Sequence, residues 1–199
     1  MSTVQSWWAV AGIISVAFVT PGPNNIAVLA AASRGGFSGA AATAGGVIAG
    51  TIALVVVSWA GAGLLFEGIP AAQPVLAFAG GFYFAWLGVQ LFRSNEVTEG
   101  GSAGSLSFAA MFILQFVNPK AWLLVLAVTA ASHGGIVNLA VLASIVFIIS
   151  LVCLSLWAAA GRIVNSLFRG RAARRWVDRI LGASLIGLAG ISLAQGLAG

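Results

Sequence analysis

Proline and asparagine stand side by side twice in this chain, in Pro21-Gly22-Pro23-Asn24-Asn25 and in Asn118-Pro119-Lys120, and each time the surrounding run is apolar. Pro21 and Pro23 remove two amide donors and crowd the preceding turn, while Gly22 between them is conformationally permissive. A helix should break there. In lipid an unsatisfied carbonyl costs several kcal/mol, so such a break persists only where protein, water or a ligand satisfies the freed groups. Asn24 and Asn25 follow the break directly, at the start of a second half-helix whose amide hydrogens and positive dipole end favour a carboxylate. Lys120 is the only charge well inside an apolar run. An intramembrane lysine costs about 2.5–3.5 kcal/mol on insertion scales and normally faces a cavity or a partner. This chemistry suits a small zwitterion: asparagine amides and the lysine for its carboxylate, freed main-chain carbonyls for its ammonium group. Either motif alone is equally well read as a proline kink or a snorkelling lysine. Their recurrence favours a substrate path, because matched interruptions in two halves are the best sequence pointer to a transport site.

The two motifs belong to a longer repeat. FVTPGPNNIAVLAAASRGG from Phe18 and FVNPKAWLLVLAVTAASHGG from Phe116 are variants of one pattern, about half a chain apart. With 199 residues, 60% hydrophobic, only 7% charged and a mean hydropathy of +1.07, the chain reads as a single-domain, all-α integral membrane protein over residues 1–199. Roughly 20 helical residues cross a bilayer core. The apolar runs predict six spans: Trp7 to Ser33, Gly39 to Phe66, Pro74 to Phe92, Leu106 to Ser132, Ile136 to Ala160 and Ile180 to Ala198. The first and fourth are the ones interrupted by proline. Three spans per copy is an odd number, so the two repeats, about 7–92 and 106–198, should be inverted relative to each other, with a midplane site at their interface.

A pI near 11.2 would suggest nucleic acid in a soluble protein. Here eight of the nine basic residues fall between apolar runs, and Arg34, Arg93, Arg162, Arg169, Arg171, Arg174, Arg175 and Arg179 all lie in odd-numbered connections. The positive-inside rule then places those loops in the cytoplasm and both termini outside, with no nucleic-acid partner. The stretch from Arg162 to Arg179 reads either as an interfacial segment along the inner leaflet or as a basic loop. The N-terminus lacks the basic region of a cleaved signal peptide, so the first run is expected to be a retained span.

Other residues carry weaker signals. Glu67 is a candidate proton carrier whose position equally suits an interfacial charge, and His133 sits in a tight HGG turn. Tyr83, Gln90 and Gln115 either line a cavity or bond a neighbouring helix. Gly46 and Gly50 form a GxxxG packing signal, and Cys153 reads as a small core residue.

At PGPNN, SRGGFSGA and QFVNPK the chain resembles the lysine exporter superfamily, in particular its homoserine/threonine resistance branch of amino-acid exporters. TPGPNN, LQFVNPK and WAAAGRIVNSLFR look most like the cysteine/O-acetylserine exporters of that branch. The resemblance implies a multi-pass permease of the cell inner membrane that expels amino acids or derivatives against proton entry, with a homodimer as one option. It carries a substrate-binding role onto Pro21, Gly22, Pro23, Asn24, Asn25, Asn118, Pro119 and Lys120. Many relatives continue towards a Pro-x-Phe segment where this chain reads AVTAASHGG. Enzymatic alternatives fail on inventory, since one cysteine and one histidine outside the spans supply neither a nucleophile and base pair nor a CxxC. A metal-ion exporter of the wider superfamily would want oxygen or imidazole ligands within the spans, and Lys120 would repel a cation. A non-transporting assembly module remains compatible with the GxxxG and the basic face. No cofactor or metal is called for.

Overall fold

The computed structural model describes residues 3–62, 72–93, 106–132, 135–167 and 171–198. Among these residues all regular structure is helical: α1 (Thr3–Val19), α2 (Pro23–Val57) running into a π-helical turn (Ser58–Ala62), α3 (Ala72–Arg93), α4 (Phe108–Val117), α5 (Pro119–Ala131), α6 (Ile136–Leu167) and α7 (Arg171–Ala198). Three stretches are long and apolar enough to cross a membrane, Pro23–Gly61, Ile136–Leu167 and Arg175–Ala194. A fourth is added if α4 and α5, bent by 69° at Asn118, count as one. Shorter apolar helices cover Trp7–Val19 and Phe78–Phe92.

Both expected interruptions are present. α1 stops at Val19 and α2 restarts at Pro23, which sits in its first turn where a missing N–H leaves nothing unsatisfied. α4 stops at Val117 and α5 restarts at Pro119, with Asn118 extended between them (φ −88°, ψ 108°).

The expected connection at SRGGF is a sharp kink rather than an extended loop: two helical parts of α2 meet at Gly36, which alone leaves helical geometry there (φ 65°, ψ −155°). One expectation needs correction. The stretch from Arg162 to Arg179 is neither a separate interfacial segment nor a plain loop over its described residues. Helix α6 continues past Arg162 to Leu167, and α7 already begins at Arg171. Arginine is a good helix former, so positive charge marks where a helix leaves the apolar zone rather than where it ends. Glu67 and His133 lie outside the described residues.

Glycine sets the closeness of the helix pairs, because without a Cβ two backbones approach to van der Waals distance. A methyl on Gly50 of α2 would lie 2.7 Å from the Phe112 carbonyl oxygen of α4, and Gly46 one turn earlier faces the Phe108 carbonyl. The GxxxG is therefore an interface between α2 and α4. Gly161 of α6 meets the Leu29 carbonyl and Ala32 of α2 in the same manner. Between α3 and α7 the contact is reciprocal: a methyl on Gly88 would lie 2.7 Å from the Gly182 oxygen, and one on Gly182 would lie 2.5 Å from the Gly88 oxygen. The buried core, which includes Val28, Ala30, Val47, Leu54, Met111, Leu114, Val125, Val146 and Leu154, runs between these pairs, and Cys153 belongs to it as a small buried side chain.

The exterior is apolar too. Val16, Ile113, Leu123, Val137, Leu151, Leu156 and Ile180 all point outward, a surface that water would not tolerate at this density and that lipid satisfies. Arg34 and Asp178 tie α2 to α7 through an ion pair with Nη2 and Oδ1 3.0 Å apart, and the Arg162 guanidinium lies over the Phe37 ring at 4.7 Å from its centroid.

Candidate functional site

Breaking a helix leaves carbonyls without their usual donors, and at the first break side chains replace those donors one by one. The Asn25 amide reaches back to donate to two oxygens, Phe18 O at 2.9 Å and Thr20 O at 2.8 Å. Thr20 O accepts a second hydrogen bond, from Lys120 Nζ at 3.1 Å, a residue 100 positions further along the chain. Gly22 supplies only its carbonyl, which starts α2 by accepting from Ile26 N at 3.0 Å.

The second break is closed by its own residues. Asn118 Oδ1 caps α5 by accepting from Lys120 N at 3.1 Å, and its backbone N–H donates to Gln115 O at 3.3 Å. The Trp122 indole N–H folds back onto Phe116 O at 2.8 Å. Gly80 of α3 packs directly on this break, against the Val117 carbonyl and Pro119 Cδ.

A reciprocal amide pair joins the two breaks. Asn24 Nδ2 donates to Gln115 Oε1 at 2.9 Å, and Gln115 Nε2 donates to Asn24 Oδ1 at 3.2 Å and to Met111 O at 2.9 Å. Gln115 is fully buried, with Gly50 lying against its Cγ.

Between these groups is a hollow of about 30 Å³ lined by Ala17, Phe18, Gly22, Pro23, Asn24, Asn25, Thr51, Gln115, Asn118, Lys120, Ala121 and Leu124. That volume holds about two water molecules, less than an amino acid occupies. The structure thus brings Gly22, Pro23, Asn24, Asn25, Asn118 and Lys120 to one polar hollow. Pro21 and Pro119 are not on its wall. Pro21 is exposed, and Pro119 packs towards α3. Their place is to create the breaks.

Gln115, left open in the sequence between lining a cavity and bonding a neighbouring helix, does both. Thr51 was missed, and its position directly after Gly50 of the GxxxG was the available clue. Neither Tyr83, which lies beside Phe84 and Trp86, nor Gln90 is on the wall of the hollow. The sole carboxylate side chain among the described residues, Asp178, is held by Arg34 away from the hollow.

Residues 14–196 match the family described as LysE type translocator. The chain is 34% identical over 161 residues to proteins named cysteine/O-acetylserine efflux protein from Escherichia coli K12 and Shigella sonnei Ss046, an overlap of 76% of this chain and 80% of theirs. The protein of that name from Escherichia coli O157:H7 aligns equally well. No solved structure matches the chain. The match over nearly the whole sequence, on a helical scaffold with an apolar exterior, establishes that this chain belongs to the LysE type translocator family of membrane transporters.

Proposed function

We propose that the protein exports small neutral amino acids or their close derivatives, of the cysteine and O-acetylserine kind, across the inner membrane by alternating access around the hollow between the two helix breaks. The observation that carries the reading is the meeting of two interrupted helices, from opposite halves of one chain, at a polar hollow inside an apolar bundle. Family membership makes the chain a transporter rather than an enzyme. The named relatives bring the substrate class.

In this reading the chain crosses the membrane six times as one domain, α1 with the first part of α2 forming span one and α4 with α5 forming span four. Two inverted repeats, exchanging spans one and four, two and five, and three and six, account for the helix pairing. Span one lies against α6 through Leu29 and Gly161, span four lies against the second part of α2 through Phe108 and Gly46, and α3 and α7 meet reciprocally at Gly88 and Gly182. The first interface maps onto the second and the third maps onto itself. Such a two-fold puts its axis through the zone where the breaks meet, the position from which two halves can rock about a fixed site.

Binding follows from the groups on the wall. The substrate carboxylate is taken by Lys120 Nζ and the amides of Asn24 and Asn25, and the ammonium by main-chain oxygens at the breaks. Pro21, Gly22, Pro23, Asn118 and Pro119 hold the breaks open. Arginine-bearing ends face the cytoplasm, both termini face outward, an inward proton gradient drives export, and Glu67 is the nominee for the coupling proton.

Proteoliposomes loaded with labelled cysteine, O-acetylserine, homoserine, threonine or lysine test this directly. Protein-dependent efflux of the first four, accelerated by a proton gradient and lost in Lys120→Ala and Asn24→Ala, is the expected result. Parental protein that moves none of them, or variants indistinguishable from it, would remove the proposal.

A further inference from the structure

In the hollow the one cationic side chain among the lining residues, Lys120, is bonded to the same kind of main-chain oxygen that the proposed function assigns to the substrate's ammonium group. Thr20 O already accepts from Asn25 Nδ2, so the lysine fills its second lone pair and the acceptor is saturated. A further donor must displace one of the two. Asn25 is anchored twice, on Phe18 O and Thr20 O, whereas Lys120 Nζ makes this single bond among the described residues. The lysine is the donor that yields.

Its berth is also built. A Cβ on Gly22 would stand 3.0 Å from Nζ, 3.6 Å from Cδ and 3.8 Å from Cε, so glycine at this position leaves the space along which the lysine stem lies. We propose that Lys120 is a tethered stand-in for the exported amine: with the site empty its Nζ occupies Thr20 O and lets the hollow close. An arriving ammonium group displaces it, and the released Nζ takes the substrate's carboxylate.

This deepens the transport reading and rests on it. The charge inside the hollow is the same in both states, one lysine alone or one lysine plus a neutral zwitterion. No second charge has to be solvated during the empty return. A cationic amino acid would add a second positive charge beside Nζ with no carboxylate among the described lining residues to offset it, so the device selects neutral zwitterions over lysine-like ones.

Empty return and loaded passage then depend on Lys120 differently. In proteoliposomes Lys120→Ala should retain exchange of labelled for unlabelled substrate at saturating concentration, with a raised KM. Net efflux, which needs empty return, should fall about tenfold further than exchange, the factor that one charge-assisted hydrogen bond commands. Methylammonium added to Lys120→Ala should restore part of the net efflux by occupying Thr20 O. Gly22→Ala, which crowds the berth but keeps the amine, should likewise depress net efflux more than exchange.

Equal loss of both modes in monodisperse Lys120→Ala overturns the inference while leaving the transport reading intact, whereas no loss of either overturns the inference together with the substrate-binding role proposed for Lys120. If Lys120→Ala does not yield folded protein, Gly22→Ala decides by the same ratio. Parental protein lacking both exchange and efflux would instead strike at the transport reading.

Discussion

Asn24 and Gln115, one on each side of the hollow and 91 residues apart, bond each other in both directions through their side-chain amides. Each break contributes one partner, so the pair registers the two halves of the chain against each other. An amide pair tolerates separation because each member is uncharged and can turn to water. A buried salt bridge in its place would leave an uncompensated charge on opening.

The pair should therefore behave as a coupled unit. Asn24→Ala and Gln115→Ala each leave an orphaned amide and should destabilise the detergent-solubilised protein. The double variant should cost less than their sum, by a coupling energy of about 0.6–1.7 kcal/mol, the range seen for polar pairs between membrane helices. Thermal unfolding of the four proteins measures it. Additive losses would mean that the amides do not sense each other in the detergent-solubilised protein.

The glycines divide into two sets that substitution should separate. Gly50, Gly88 and Gly182 have backbone atoms of another helix within 2.5–2.7 Å of where a Cβ would stand, whereas Gly187 and Gly190 on the same α7 have nothing within 4 Å. Alanine in the first set must push two helices apart and should cost about 1–3 kcal/mol. At Gly187 and Gly190 it should be neutral or stabilising by up to about 1 kcal/mol, because alanine orders a helix better. Melting temperatures of the five single variants test the division. Loss at Gly187 or Gly190 would show that these faces are covered by something other than lipid, such as a second copy of the chain.

Much of this is legible in the sequence. Proline cannot donate, so the ends of α1 and α4 follow from Pro21, Pro23 and Pro119 by local sterics alone, and Asn118 as a cap before Pro119 is equally local. What could not be read is which groups repair the breaks. Asn25 could turn towards a ligand or back to Phe18 O, and composition does not choose between these. The bond from Lys120 to Thr20 O spans half the chain and exists only once the two halves have packed together. Hydropathy reports depth in the bilayer rather than hydrogen bonding, so it does not show that the arginines near the end of α6 and the start of α7 are helical. At SRGGF the paired glycines invited a turn, and only one of them makes it.

That last distinction supplies the sharpest test of the fold. Gly35 and Gly36 are neighbours, and a Cβ on either would meet nothing within 4 Å, so packing does not separate them. Only the backbone does. Gly36 adopts φ 65° and ψ −155°, a region that side chains disfavour strongly, whereas Gly35 has an ordinary negative φ. Gly36→Ala should thus cost about 1–3 kcal/mol of strain or force α2 to straighten, and straightening would swing Arg34 relative to its partner Asp178 on α7. Gly35→Ala should be silent or mildly stabilising. Paired measurements of melting temperature and efflux on the two variants separate these outcomes: a defect confined to Gly36→Ala assigns the bend to this one residue, and equal behaviour would mean that the chain turns there for another reason.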